Sequence, residues 1–225
     1  MDRNIEKLTD QAKMWLDNPL ESDQTDLKNL IGSLQQAMKD NPDAKKSIGP
    51  LIGKVKSTEN ALKAIQELSW VKVHGGDIAI GHRPGAKLIS DLRLYRTTHV
   101  FTLLSEKEGG KKTESMAQKS GIEWLWFPME SAKPPKEERL QHLAELFAKI
   151  KSILSDNGKV YIHCSAGIHR TGMISYALLR YLAYSEKESL DLLSQLRDTT
   201  SEGVGEERVE WAESVADKLI ELSGK

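Results

Sequence analysis

Residues 163–172 read His-Cys-Ser-Ala-Gly-Ile-His-Arg-Thr-Gly, and Cys164 is the only cysteine in the chain. The apolar, β-branched run before this segment predicts a strand, and the run after it predicts a helix. A loop entering a helix presents free main-chain N–H groups, and the helix dipole adds positive potential there. Such a nest binds an anion the size of phosphate. The same field holds a thiolate, which makes Cys164 a nucleophile near neutral pH. Arg170, in the first turn of the helix, offers a planar fork to two phosphate oxygens. Thr171 is placed to hydrogen-bond the sulfur and ease its departure. His163 can orient the loop through its ring nitrogens. Gly167 supplies a backbone conformation or a close approach that a side chain would block, and Gly172 permits tight helix packing. Ser165, Ala166, Ile168 and His169 complete the lining of the loop, with His169 read as a neutral member.

The elements that must position this loop follow from periodicity. Lys159–His163 (KVYIH) is the strand that feeds it, and Arg170–Ala183 the helix that leaves it. Upstream, Trp70–Val73 and Asp77–Ile80 read as a hairpin around Gly75-Gly76. His99–Leu104 and Glu123–Phe127 are further strands, separated by a charged loop over Glu106–Lys112 and a short helix over Glu114–Ser120. Lys87–Leu94 is a helix. In Glu137–Leu154 the apolar residues Leu140, Leu143, Phe147, Ile150 and Leu154 recur at steps of three and four, one face of a helix. Helices follow over Ser185–Leu196 and Glu206–Leu222, with a polar, glycine-bearing loop at the start of Arg197–Trp211. Alternating strands and helices predict an α/β domain with a central, mostly parallel sheet flanked by helices.

Residues 1–68 have a different texture, with helical spacing and almost no strand-like run. Helices are expected over Arg3–Leu16, from Ser22 or Asp23 through Met38, and over Ala44–Leu68 with an interruption near Gly49-Pro50. The expected division is therefore an all-helical accessory segment, 1–68, and a catalytic domain, 69–225. The apolar stripes of the helical segment must bury against something, which makes it a candidate surface for a protein partner.

Bulk properties narrow the classes. A formal net charge of -1 provides no general field for nucleic acid or anionic membrane. No apolar run is long enough to span a bilayer. The charged start MDRNIEKLTDQAKMW lacks the apolar core of a secretory signal, so a cytoplasmic location is expected. A lone cysteine forms no internal disulfide and no thiolate zinc site, and nothing in the chain calls for a metal or cofactor.

Taken together, His163, Cys164, Gly167, Arg170, Thr171 and Gly172 resemble the phosphate-binding loop of the cysteine-based phosphatase superfamily, in particular its compact, atypical dual-specificity branch. The resemblance covers residues 70–220, with specific identities confined to the loop. It implies a phosphocysteine mechanism acting on phosphotyrosine, phosphoserine or phosphothreonine in proteins, or on a small phosphorylated molecule such as an inositol phosphate or nucleotide. It also implies a carboxylic acid on a loop upstream of the cysteine, after a proline-containing strand end. That window reads Trp126-Phe127-Pro128-Met129-Glu130-Ser131. The usual aspartate position falls on Ser131, and Glu130 is the carboxylate at hand, with one more methylene to reach from a shifted backbone position. Segment GDIAIGHRPG resembles the early strand and loop of bacterial and fungal atypical members, where an arginine approaches the pocket; Arg83 is the match. The unusual acid window leaves a phosphate-binding pseudoenzyme or scaffold as a competing class. The position and solitude of Cys164 disfavour low-molecular-weight phosphatases and thiol-coupled arsenate reductases.

Overall fold

A computed structural model describes residues 3–20, 24–66 and 68–224. The chain divides into two compact units, Met1–Ile65 and Gln66–Lys225.

The first unit is helical. Helix α1 (Arg3–Asp17) buries Ile5, Ala12 and Trp15, and stops at Asn18-Pro19, where the proline ring disfavours helix in the residue before it. Helix α2 spans Gln24–Asp40; the expected capping residues Ser22 and Asp23 lie outside the described residues. A 3-10 turn at Pro42–Ala44 leads into α3, Lys45–Gln66. The expected interruption near Gly49-Pro50 does not occur, because α3 runs straight through Pro50. The proline sits close to the helix start, where the missing N–H costs one backbone bond of a long ladder.

The second unit is built on five strands: β1 (Val71–Val73), β2 (Gly76–Gly81), β3 (His99–Leu104), β4 (Glu123–Met129) and β5 (Lys159–His163). Their spatial order is β1-β2-β5-β3-β4. Only β1 runs antiparallel; the other pairings are parallel. The β1–β2 turn falls on His74 (φ 52°) and Gly75 (φ 97°), one residue earlier than expected. Gly76 is already paired with Val73. Two consecutive positive φ values are what a two-residue hairpin loop demands.

Around the sheet run α4 (Ala86–Leu94), α5 (Gly110–Lys119), α6 (Leu140–Ser155), α7 (His169–Tyr181), α8 (Glu186–Leu196), α9 (Asp198–Gly203) and α10 (Glu206–Ser223). Helix α6 buries Leu140, Leu143, Phe147, Ile150 and Leu154 together with Ala144, the stripe legible in its spacing. Phe101, Phe127 and Phe147 are fully enclosed, each stabilising the fold by roughly 1.5–3 kcal/mol. Helix α9 was not expected. Its polar Asp-Thr-Thr-Ser run reads as a loop, yet Asp198 suits the first helical turn and Thr200 is fully buried. Among the described residues no helix is long and apolar enough to cross a membrane.

Strand β5 is the centre of the sheet, and its last residue, His163, pairs with Gly81 of β2 on one side and Thr102 of β3 on the other. The segment that follows therefore emerges at the carboxyl ends of the parallel strands, the usual location of ligand sites in open α/β sheets.

Candidate active site

The loop 164–168 joins β5 to α7, and its geometry is governed by where its carbonyls go. The Cys164 oxygen accepts from His163 Nδ1 at 3.1 Å. The Ser165 oxygen accepts from the Arg83 amide at 3.0 Å. Arg197 Nη1 donates to the Ala166 and Gly167 oxygens at 3.0 and 3.1 Å, and the Thr200 hydroxyl donates to the Gly167 oxygen at 2.6 Å. All four carbonyls are thus drawn to the outside of the loop. In a planar trans peptide, C=O and the following N–H point in opposite directions. The amides of residues 165–168 are consequently turned to the opposite, inner side. The Gly167 amide donates to the Cys164 sulfur at 3.3 Å, as that orientation requires.

Gly167 has φ 72°, and a Cβ there would stand 2.3 Å from the carbonyl carbon and oxygen of Gly81. Both the left-handed backbone and the close approach exclude a side chain. Gly172 lets α7 approach α9: a Cβ would come within 2.8 Å of Val204 and 3.2 Å of Thr200.

Cys164 is buried. Burial pushes its thiol pKa up, but the Thr171 hydroxyl and amide, the Gly167 amide and the Arg170 charge outweigh it, so the net shift is down. The Thr171 hydroxyl is fully buried, without a partner at strict hydrogen-bond geometry, and it is the largest of the influences that favour the thiolate.

His163 closes a chain of hydrogen bonds behind the sulfur. A carbonyl only accepts, so Nδ1 carries the proton toward Cys164 O. Nε2 is then bare and accepts from the Thr102 hydroxyl at 2.9 Å, which itself accepts from Trp124 Nε1 at 2.9 Å. Every group in the chain is satisfied by a neutral ring. Burial, opposed by the Cys164 carbonyl bond and reinforced by the charges of Arg83, His82 and Arg170, holds the His163 pKa at about 4.

Arg170 is gripped by a residue that the sequence did not single out. Glu108 accepts from Nη1 at 2.6 Å and Nη2 at 2.8 Å, and Nη1 also donates to the Met129 carbonyl at 2.8 Å. A guanidinium has five N–H groups. These contacts occupy the end of the fork and leave Nε–H and one Nη2–H, which share a single edge. That edge is a two-pronged donor for a tetrahedral oxyanion. Glu108 is held in turn by the Ser105 amide and hydroxyl, at 3.1 and 3.0 Å. The hydrogen bond from Arg170 is the main reason its carboxyl titrates as low as about 2; burial opposes this, and Ser105 and the Arg170 charge add to it. The available signal was Ser105-x-x-Glu108, a reciprocal capping pattern directly after β3. The Glu108 amide completes it by donating to Ser105 Oγ at 3.3 Å.

The remaining candidates fall as follows. Ser165, Ala166 and His169 are exposed on the loop and Ile168 is half-buried. Arg83 reaches the loop through its backbone amide, while its side chain is exposed. Glu130 and Ser131 are exposed on the segment after β4, next to the Met129 carbonyl that Arg170 holds. Thr200, in the segment expected as a polar loop, is instead buried and bonded to the Gly167 carbonyl.

Residues 83–207, more than half the chain, match the model of the dual specificity phosphatase catalytic domain. The chain belongs to the dual specificity phosphatase family. Among solved structures this phosphatase domain is similar to kinase associated phosphatase carrying serine in place of its catalytic site cysteine (19% identity, 67% of this chain and 93% of that one, TM-score 0.56). It is also similar to Tk-PTP in the active form (24% identity, 67% and 97%, TM-score 0.54), and to PTPMT1 (19% identity, 69% and 98%, TM-score 0.54). At these identities the likeness concerns the fold. No curated protein sequence matches the chain.

Proposed function

We propose that this phosphatase hydrolyses phosphomonoesters through a phosphocysteine intermediate, with phosphotyrosine, phosphoserine or phosphothreonine in proteins as substrate. The observation that supports it most is the outward tethering of four consecutive loop carbonyls around a thiol of lowered pKa. In the first step the Cys164 thiolate attacks phosphorus while Arg170 and the loop amides of residues 165–168 bind the equatorial oxygens. The bond from phosphorus to the leaving oxygen breaks, and Glu130 supplies the proton that oxygen takes up. In the second step water attacks phosphorus, the Glu130 carboxylate accepts its proton, and the S–P bond breaks with Thr171 supporting the departing sulfur. Inorganic phosphate leaves and Glu130 is again protonated. Residues 1–68 act as an accessory segment to the catalytic domain, 69–225.

A second reading keeps the chemistry and changes the substrate to a small phosphorylated molecule. It is favoured by the exposed basic side chains His82, Arg83 and His169 on and beside the loop; PTPMT1, of the same fold, has been solved in complex with PI(5)P. The deciding experiment is a panel of phosphopeptides, inositol phosphates and nucleotides assayed with wild type, Cys164→Ser and Glu130→Gln. Turnover of phosphopeptides that vanishes in Cys164→Ser supports the proposal. Preference for the small molecules supports the second reading, and binding without turnover in wild type refutes both.

A further inference from the structure

The segment after β4 is tied down more heavily than an exposed loop requires. The Pro128 carbonyl accepts from Arg139 Nη1 at 2.5 Å, the Met129 carbonyl from Arg170 Nη1 at 2.8 Å, and the Ala132 carbonyl from Arg208 Nε at 2.7 Å. The three guanidinium groups come from three places: the turn before α6, the start of α7 and the first turns of α10. Each is itself fixed. Arg139 lies over the Phe127 ring at 4.3 Å, Arg170 is held by Glu108, and Arg208 donates a second bond to the Val204 carbonyl at 3.0 Å. Between the anchors stand Glu130 and Ser131, both exposed, with Ser131 Oγ accepting from the Lys133 amide at 3.3 Å.

We infer that Arg139 and Arg208 are positioning residues that clasp residues 128–132 in one conformation and so set where Glu130 meets the leaving group. Charge-assisted bonds from a guanidinium to a carbonyl are stronger than bonds between two neutral groups. Three of them across five residues leave the acid little backbone freedom. Such an acid works without a large closing motion, because the carboxylate is already carried on a fixed frame. Arg208 is the more informative of the two. Its bond to the Ala132 carbonyl lies on the far side of Glu130 from the other two guanidinium contacts.

The catalytic consequence rests on the phosphatase reading above; the loop's rigidity does not, and the test separates them. Arg208→Ala and Arg208→Lys are compared with wild type, all as the full chain, by amide hydrogen exchange over residues 129–133 and by turnover of phenyl phosphate against p-nitrophenyl phosphate. Protection of the segment is expected to fall at least tenfold in Arg208→Ala, with partial recovery in Arg208→Lys. The rate is expected to drop at least tenfold more on phenyl phosphate, whose basic leaving group needs a proton, than on p-nitrophenyl phosphate. Alkylation of Cys164 by iodoacetate should follow the same pH profile as wild type, which a general unfolding would not allow. Unchanged exchange overturns the clasp; increased exchange with equal losses on both substrates overturns its link to the acid. If wild type turns over neither substrate, the phosphatase reading falls while the exchange result still decides the clasp.

Discussion

Replacing Glu108 by glutamine tests the way Arg170 is held. The substitution keeps the shape and one acceptor oxygen but removes the charge that grips both Nη atoms at 2.6 and 2.8 Å. A carboxyl titrating at about 2 instead of 4.5 corresponds to roughly 3 kcal/mol of preference for the charged form. The Glu108 side chain is 31% exposed, and solvent screening reduces that to about 1–2 kcal/mol. If this energy is what keeps the free edge of Arg170 aimed at the loop, kcat/KM for an aryl phosphate should fall by about 5- to 30-fold. The thiol should respond in the opposite sense. Removing a nearby negative charge favours the thiolate, so alkylation of Cys164 by iodoacetate at pH 6 should be at least as fast as in wild type. Stability follows with a definite sign. The Glu108 pKa is depressed by folding, so its contribution is fully present above pH 4.5 and is lost as pH falls through about 2. Urea denaturation of wild type and Glu108→Gln should therefore differ at pH 7 and converge toward pH 2. An unchanged kcat/KM, or alkylation that slows as much as turnover, would refute the idea that the carboxylate orients the guanidinium.

Thr171→Ala removes the buried hydroxyl facing the sulfur and should move the pH midpoint of Cys164 alkylation upward, measured as rate against pH. Gly167→Ala forces a methyl to within 2.3 Å of the Gly81 carbonyl and into a left-handed backbone, so a loss of about 2–4 kcal/mol in chemical denaturation is expected. Thr102→Val leaves His163 Nε2 and Trp124 Nε1 without their shared partner; a destabilisation of about 1–3 kcal/mol should appear in the same assay. His163 is held neutral by burial, with a pKa of about 4. Stability should therefore decline as pH drops from 6.5 toward 4, and His163→Gln should flatten that limb.

The loop itself was legible because its chemistry is contiguous: thiol, glycine, guanidinium and hydroxyl fall within ten residues between a readable strand and a readable helix. The strands β3 and β5 and the stripe on α6 were legible because each buries a continuous apolar face. What supports the loop was not, because it comes from afar. Glu108 lies 62 residues from Arg170, and Arg197 lies 31 from Ala166; no local periodicity reports such a pairing. Helix α9 was hidden by residues that suit caps and loops as well as helices, and it forms because Thr200 and Val204 have α7 to pack on. The uninterrupted passage of α3 through Pro50 went the other way: a local rule was overridden by the helical run on both sides of it.

Strand β3 ends at Leu104, and within its last residues and the turn beyond lie both Thr102, which backs the sulfur's own strand through His163, and Ser105, which braces Glu108 against Arg170. Nucleophile and oxyanion grip thus share one foundation although neither belongs to it. Transplanting the ten-residue loop alone onto another α/β scaffold would deliver a thiol and a guanidinium without their supports. A working graft has to bring the end of β3 with it, in register, before any contact to substrate is considered.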